Sequence, residues 1–543
     1  MKEYLRNKLQ SALSTFDSGI HKTIILEKPR QPEHGDATTN IAMVVAKQLG
    51  KNPRQFAQEL VNKLHLDADY VDRVEIAGPG FINFRFTNKY FSEQLSRILE
   101  KNTDYGRVNI GGGKKTQVEF VSANPTGPLT VGHGRGAVLG DTLAKLLEWT
   151  NHDVKREYYF NNAGRQMRIL GDSVRLRYLE LIGEDVDFPI EYYQGEYIKE
   201  IAQHLVDEYQ DTLKEKSAEE IFKQRAEDEI FDDIKRTLKR LSIEFDVFFN
   251  EKSLYDDGSI EKVIQEFRDK GLAYDQEGAV WFKSSVFGGE KDKVIVKSTG
   301  EPTYRLPDIA YHRNKFNRGF ELVIDLLGAD HVATYPDVLA GLQALGLEET
   351  KVKVLIHQFV TIVQNGEVVK MSTRKANFIT LDELIDEVGA DVVRYFFIMR
   401  SMDSHLNFDL GLAKTQSDEN PVYYLQYAHA RIASIIRYAE SEGVDVTASA
   451  DLKLLNKPEE IDLMKQLEQF PDIVESCALT FEPHRLAEYL QNAAALFHKF
   501  YHQQRVVTED KQLTAARIAL CLATKIVLKN GFDILGITAP EKM

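Results

Sequence analysis

The sequence predicts an α/β multidomain chain built around a doubly wound parallel sheet, with a small α/β domain before it and an all-α bundle after it. Three observations carry that expectation. A strand, a glycine-rich turn, a helix and a second strand succeed one another between 116 and 160, short apolar runs recur up to 363, and strand signals cease from about 410. At 543 residues the chain is too long for one core, since a domain usually takes ~100–200 residues.

Residues 1–104 read as the N-terminal α/β domain. Ile41, Val44, Val45 and Leu49 share one helix face over 38–49, ending at Gly50; Pro53 opens another helix, and 72–86 alternates as two strands around Gly78-Pro79-Gly80. Thr38 or Thr39 is the expected helix cap, which leaves Asp36 and Asn40 free to meet a partner.

The central unit spans 105–409. Residues 117–122 alternate and are rich in Val and Phe, as a strand does, whereas Asn124-Pro125-Thr126-Gly127-Pro128 can extend neither strand nor helix. From Arg135, Leu139, Leu143, Leu146 and Leu147 recur at helical spacing, so Gly132, His133 and Gly134 stand at a helix N-terminus with bare backbone, where phosphate is favoured. Gly132-His133-Gly134-Arg135-Gly136 is not a dinucleotide fingerprint, because one residue separates its last two glycines where two are required. Residues 155–160 form the next strand and lead into Asn161-Asn162-Ala163-Gly164.

A charged, mostly helical insertion is expected over about 175–290, with Ala226, Ile230, Ile234, Leu238 and Leu241 on one apolar face. Lys235, Arg236, Lys239 and Arg240 beside it read as solvated. The runs 294–296 and 322–327 read as buried parallel strands. Between them Tyr304 and Asp308, four residues apart, share one helix face, although an acid near a helix start also suits the helix dipole. Asp330 and His331 fall at a strand's carboxyl end, where ligands bind in such sheets. Residues 352–363 and 367–370 suggest paired strands around Asn365-Gly366, followed by the basic loop Lys370-Met371-Ser372-Thr373-Arg374-Lys375.

Residues 410–543 read as a helical bundle. Leu486, Leu490, Ala493, Phe497 and Tyr501 make one face, and a helix over 513–528 is expected to end at Asn530-Gly531. His498 and His502 lie one turn apart, but Lys499 stands where a zinc protease helix has Glu and no third ligand is evident, so they read as surface histidines and no protein-bound metal is expected. Cys477 and Cys521 sit in apolar helical stretches and read as core residues.

The 43% hydrophobic and 28% charged content is that of a soluble globular protein, no apolar run is long enough to span a bilayer, and the first residues lack the apolar centre of a signal peptide. A cytoplasmic location without membrane contact is expected. The net charge of −15 opposes nucleic-acid binding through overall charge and leaves only a local basic surface for it.

Thr130-Val131-Gly132-His133 resembles the HIGH signature of class I aminoacyl-tRNA synthetases, and Lys370-Met371-Ser372-Thr373 resembles KMSK. With 33–40, 118–141, 304–316, 370–375, the tyrosine-rich 420–431 and the terminus 535–543 in the same order, the chain resembles bacterial arginyl-tRNA synthetases along nearly its whole length. The resemblance implies a Rossmann-like catalytic domain, an N-terminal tRNA-binding addition and a C-terminal anticodon-binding bundle. It implies that arginine attacks the α-phosphorus of ATP, with Mg²⁺ accompanying the nucleotide, and that a terminal ribose hydroxyl of tRNA(Arg) then takes the arginyl group. The partners are tRNA(Arg), L-arginine and ATP, and the usual form is a monomer.

Carried onto this chain, the resemblance makes His133 and Lys370 catalytic and places ATP against Thr130, Gly132, His133, Asp330, His331, Lys370, Met371 and Ser372. Arginine falls to Glu119, Asn124, Tyr304 and Asp308, with Asn124 towards its α-amino or carboxylate group and the other three towards its guanidinium. Asp36, Asn40, Tyr424, Tyr427, Arg431 and Met543 fall to tRNA. Thr130 replaces the first histidine of HIGH and Thr373 the final lysine of KMSK, which shifts phosphate stabilisation onto His133, Lys370 and Arg374 or Lys375. Two alternatives remain at this stage: a nucleotidyltransferase joining a small acid to a nucleotide, which would not need residues 410–543, and a non-catalytic tRNA-binding protein.

Overall fold

The protein is described over residues 1–16, 23–29, 31–215, 219–332, 334–369, 379–445 and 450–543 of a computed structural model. Its first unit contains α1 (Lys2–Ser14), β1 (Ala37–Thr39), α2 (Ile41–Leu49), α3 (Pro53–Val61), β2 (Val71–Ala77) and β3 (Phe81–Phe86), followed by α4 (Asn88–Lys101). The strands pair antiparallel in the order β1-β3-β2, over a core that includes Leu9, Leu13, Val45, Phe56, Leu60 and Phe84. Two local expectations change. Thr38 and Thr39 belong to β1, and α2 starts after Asn40, with Thr39 Oγ1 accepting from Ile41 N at 3.3 Å. Asp36 is not free, because it accepts from Phe86 N at 2.8 Å and pairs with Lys465 of the helical bundle at 2.6 Å.

The central unit contains β4 (Lys115–Glu119), α5 (Val131–Trp149), β5 (Asp153–Phe160), α6 (Gly164–Leu181), α7 (Glu196–Tyr209), α8 (Glu219–Arg240), β6 (Val247–Asn250), α9 (Lys252–Asp256), α10 (Ser259–Asp269), β7 (Ala273–Gln276), β8 (Ala279–Phe282) and β9 (Lys293–Val296). It continues through α11 (Arg305–Asn317), β10 (Leu322–Gly328), α12 (Tyr335–Leu345), β11 (Val352–His357), β12 (Val360–Gln364), β13 (Glu367–Val368), α13 (Leu381–Val388), α14 (Ala390–Ile398) and β14 (Leu406–Asp409). The main sheet has the order β11-β10-β4-β5-β6, and every pairing in it is parallel.

The insertion is less helical than its sequence suggests. β6 lies inside it and joins the parallel sheet beside β5, while β7, β8 and β9 form a separate antiparallel sheet. Residues 294–296 are therefore not a parallel strand: an apolar run this short carries no mark of its partner, and the chain returns through 283–292 to lay it antiparallel on β8. Phe222, Ala226, Ile230, Ile234 and Leu238 are buried along α8, as their spacing predicts. β12 and β13 form the hairpin around Asn365-Gly366.

The bundle contains α15 (Leu410–Lys414), α16 (Pro421–Ser441), α17 (Pro458–Glu468), α18 (Phe470–Thr480), α19 (His484–Gln503) and α20 (Lys511–Leu535). α20 runs straight through Asn530-Gly531 to a left-handed cap at Gly536. The reason is tertiary. Asn530 is buried and donates to the carbonyls of Asn102 at 2.8 Å and Tyr105 at 2.9 Å, and Gly531 packs on Leu490. α4 packs on α17 and α20, so Phe91, Leu95 and Ile98 join the main core and not that of the first unit.

The main sheet has two unlike faces. Val118, Phe120, Tyr158 and Phe160 enter the apolar core with α5, which approaches so closely that a Cβ on Gly140 would lie 2.2 Å from the Phe120 ring. Gln117, Glu119, Glu157 and Tyr159 face α11 instead. Asn530→Ala is expected to lower stability by about 1–3 kcal/mol by stranding two buried carbonyls, read as a fall in calorimetric Tm, with Lys529→Ala as a near-neutral control.

Candidate active site

In-register neighbours in a parallel sheet project to one face. Glu119 of β4 stands between Asp325 of β10 and Glu157 of β5, so three carboxylates lie side by side. Left alone they would repel one another. α11 answers them with Asp308, Tyr311, His312 and Lys315, which share a helix face. The fully buried Lys315 donates to Glu119 Oε2 and to Asp325 Oδ1, each at 2.6 Å. Arg318 donates to both oxygens of Glu157 at 2.7 Å, and the Tyr311 hydroxyl donates to the same group at 2.7 Å. His312 sets Nε2 2.7 Å from Asp325 and Nδ1 2.7 Å from the Asp308 carbonyl. Burial alone would raise Asp325 and Glu157, but Lys315 with His312, and Arg318 with Tyr311, hold them below the usual carboxylate range.

Two further carboxylates remain open. Glu251, immediately after β6, accepts from the Tyr159 hydroxyl at 2.6 Å and Asn161 Nδ2 at 2.8 Å, and burial raises its pKa. No side chain among the described residues donates to the Asp308 carboxyl, which burial, then Glu119 and Glu251, hold up at about 7 despite His312 and Lys315. Glu119, Glu157, Glu251, Asp308 and Asp325 thus outnumber the fixed cations Lys315 and Arg318. The pocket suits a cation with many donors.

The other expected members are placed unevenly. Glu119 is closer to saturation than expected, since Oε1 also accepts from Ser122 Oγ at 3.0 Å. Val121 and Ser122 adopt positive φ of 67° and 45°, which turns the chain sharply out of β4 and lets Ser122 Oγ accept from Tyr159 N at 3.2 Å. Asn124, exposed at the rim, accepts from Asn161 N at 3.0 Å and donates to Gln166 at 3.1 Å. Tyr304 lies one turn before Asp308, but it is 88% exposed and stands in solvent. Glu251 and Tyr159 were not legible in the sequence; the paired acid after a strand would have marked Glu251 only if β6 had been recognised.

At the start of α5, Thr130 is the N-cap. Its Oγ1 accepts from His133 N at 3.4 Å, while Thr130 N donates to His133 Nδ1 at 3.2 Å. A backbone N–H can only donate, so Nδ1 accepts and the neutral ring carries its hydrogen on Nε2. Burial lowers the His133 pKa and favours that neutral ring. The helix end therefore offers an imidazole N–H and unpaired backbone N–H groups together, a setting for phosphate. Gly132 leaves the backbone uncovered, with only Thr130 Oγ1 within 4 Å of where its Cβ would be.

Asp330 is exposed and near enough to His133 and His357 to act on both electrostatically. Burial, with Arg135 and His133 nearby, pushes His357 down to about 4. Arg135, buried beside them, donates to the carbonyls of Gln358, Ser404 and Ser401 at 2.7, 2.8 and 2.9 Å. His331 belongs to the helical turn Ala329–His331, but its side chain is outside the described set, as are Lys370, Met371, Ser372, Thr373, Arg374 and Lys375. Leu381 N donates to Leu129 O at 2.8 Å and Thr380 bridges Thr130, so residues 380–381 are stitched to the start of α5. Among the described residues no group of three or more His, Cys, Asp or Glu could hold a metal ion.

On the bundle, Arg431 lies 4.9 Å from the Tyr427 ring and 5.5 Å from Tyr501, and Tyr424 and Tyr427 flank His498 at 4.8 and 5.9 Å. His498 is thus not a surface histidine, because the rings on α16 cover it; His502 is exposed. Met543 and Asn40 are exposed.

Residues 94–396 match the family "tRNA synthetases class I (R), catalytic domain", residues 2–86 match "Arginyl tRNA synthetase N terminal domain" and residues 425–543 match "DALR anticodon binding domain". The chain is 52% identical to an arginine–tRNA ligase of Desulfotalea psychrophila, covering 100% of this chain and 99% of the relative. It is 49% identical to one of Salinibacter ruber over the full length of both. A solved structure described as a putative arginyl-tRNA synthetase from Campylobacter jejuni aligns with TM-score 0.78 and 32% identity over 84% of this chain and 100% of that one. The Thermus thermophilus arginyl-tRNA synthetase shares the fold over 100% of both chains, with TM-score 0.79 and 22% identity.

The raised Asp308 pKa has a sign that stability can read. The folded state holds this proton up to about 7, the unfolded state only to its ordinary value near ~3.9, so folding loses stability as pH rises between those values. Asp308→Asn is expected to match wild-type Tm near pH 4 and to exceed it above pH 7; a gap that does not grow with pH would contradict the pocket's electrostatics. Thr130→Ala is expected to cost about 1 kcal/mol as a lost N-cap, and Thr130→Ser to restore it, both measured by thermal melting.

Proposed function

The chain belongs to the arginyl-tRNA synthetases, and from that premise we propose how its residues divide the reaction. It activates L-arginine with ATP to arginyl-adenylate, releasing diphosphate, and transfers the arginyl group to the 3′-terminal ribose of tRNA(Arg), releasing AMP.

The guanidinium of arginine lies against Asp308 and Glu251, with Glu119 behind them. The observation that carries this is the Asp308 carboxyl, which accepts no side-chain hydrogen bond among the described residues and is raised by burial and then by Glu119 and Glu251. A guanidinium presents five donors and no acceptor, so it supplies both the charge and the hydrogen bonds this pocket lacks. Tyr304 covers the ligand from the exposed end of α11, and Asn124 meets its α-amino or carboxylate group at the rim. Held this way, the substrate carboxylate points towards the start of α5.

Attack on the α-phosphorus needs alignment and neutralisation of phosphate charge more than acid-base chemistry. His133 Nε2–H and the N-terminal amides of α5 meet the phosphates, and Gly132 admits the nucleotide to the backbone. Thr130 acts through His133, whose tautomer it fixes. Lys370, with Met371 and Ser372, stabilises the departing diphosphate, and Asp330 and His331 take the ATP ribose or the substrate amino group. Mg²⁺ enters as part of the nucleotide substrate.

Tyr424, Tyr427, Arg431 and Met543 face the anticodon and Asn40 meets the tRNA from the first unit, whereas Asp36 holds that unit to the bundle. The units divide as 1–104, 105–409 and 410–543, with α4 leaning on the third. No described helix is long and apolar enough to cross a membrane, and we place the enzyme in the cytoplasm as a monomer.

Arginine-dependent ATP–diphosphate exchange, run with and without tRNA(Arg), tests the scheme. Asp308→Asn and Glu251→Gln are expected to raise the KM for arginine about 10–100-fold, the size of one lost charge-assisted bond, with the KM for ATP little changed. Because guanidinium must displace a proton held to about 7, the KM for arginine should fall as pH rises through that value. An unaltered arginine requirement in Asp308→Asn would remove that residue from the pocket.

A further inference from the structure

We propose that Arg394 is a positioning residue of aminoacylation: it locks the end of the anticodon-bearing bundle to the helix that carries His133, so that the grip on the tRNA at one end sets where its 3′ end meets the other. The proposal rests on the arginyl-transfer reading above.

Arg394 of α14 is 1% exposed and spends its donors on three different elements. Nε donates to Leu535 O, the last residue of α20, at 2.8 Å; Nη1 donates to Leu241 O, just beyond α8, at 2.7 Å; Nη2 donates to Asp141 Oδ2 on α5 at 2.6 Å. The last carbonyls of a helix lack intrahelical donors and carry the negative end of its dipole, so one guanidinium satisfies the ends of two helices at once. Only a planar fork of donors reaches all three sites; a lysine ammonium is too compact. Gly536 confirms how tightly α20 is seated, since at φ 69° its Cβ would lie 2.4 Å from Nη2.

The grip has a second point one turn earlier on α14. Asp391 accepts from Thr538 N at 3.1 Å, from the Thr538 hydroxyl and from Gln426 Nε2 of α16 at 2.7 Å. The chain then runs along α16, where His429 Nδ1 lies 2.8 Å from Pro540 O. α16 is the helix that carries Tyr424, Tyr427 and Arg431.

At its other end the joint reaches the catalytic elements by short steps. Asp141 lies eight residues after His133, ~12 Å along the same rigid helix. α13, which directly precedes α14, begins at the Leu381–Leu129 hydrogen bond beside Thr130, and Arg240 of α8 pairs with Asp382 and Asp386 of α13. Asp141 is itself braced by Lys145 at 2.9 Å and Arg156 at 3.4 Å, so a push on Arg394 is delivered to α5 without slack.

The test uses the full chain, with arginylation kcat and KM measured for tRNA(Arg) and for the same tRNA with a substituted anticodon, and Tm recorded alongside. Since misplacing reacting groups by about 1 Å costs about 10²-fold, Arg394→Lys is expected to lower kcat on tRNA(Arg) about 10–100-fold with the KM for tRNA within about two-fold. The rate on the substituted tRNA should barely move, so discrimination shrinks. Thr538→Val, an exposed change that weakens the Asp391 grip, should shrink discrimination about three-fold at wild-type Tm, and it decides the matter if Arg394→Lys does not fold. Equal losses on both tRNAs, or unchanged discrimination in folded Thr538→Val, would overturn the proposal. A wild-type enzyme that does not arginylate would overturn the reading beneath it instead.

Discussion

The structure depends on the contact between the acidic row Asp325, Glu119 and Glu157 and the basic side of α11. Parallel pairing makes these carboxylates neighbours, and Lys315 and Arg318, with His312 and Tyr311, make that pairing tolerable. Removing either cation would leave buried charge uncompensated, which is far more costly than an exposed ion pair is stabilising. The register of β10, β4 and β5, the seat of α11 and the position of Asp308 therefore form one problem with one solution. The same contact leaves the pocket short of positive charge, which is the ground for the guanidinium site proposed above.

The two faces of the sheet divide the labour. On the apolar face α5 sinks against Phe120 and continues into the core shared with the bundle, so the helix that presents His133 is firmly held. On the polar face Glu119, Glu157 and Asp325 are held by hydrogen bonds and ion pairs, whose geometry is directional.

Much of this was legible before any coordinates. The β4–α5–β5 unit, the glycines at the helix start, the hairpin at 365–366 and the helical stretch 410–543 follow from period and turn chemistry, which are local. What stayed hidden was partnership. Lys315 and His312 lie on a charged helical face, and a buried charged face has the same sequence pattern as a solvated one until its carboxylates are found. Glu251 was invisible because β6 is four residues long within an insertion that reads as helix. Asn530-Gly531 has the chemistry of a helix end, yet Asn530 is consumed by carbonyls from the other end of the chain. Asp36 looked free for the same reason, its partner Lys465 being more than four hundred residues away.

The proposed roles also imply a direction for the substrate. His133 is kept neutral by burial and oriented by Thr130, so it donates a hydrogen bond without adding a full charge that would trap diphosphate. At the far side burial raises both Asp308 and Glu251, and Asp308 is raised further by Glu119 and Glu251. Arginine is positive at its tip and negative at its carboxylate. On the proposed division of roles, the acids of α11 and after β6 and the amide end of α5 would favour one orientation of that molecule, with its carboxylate towards the phosphates. Reversal would set a carboxylate among carboxylates, where unpaired buried charge is prohibitive. Selection of the substrate and alignment for attack are thus one electrostatic event.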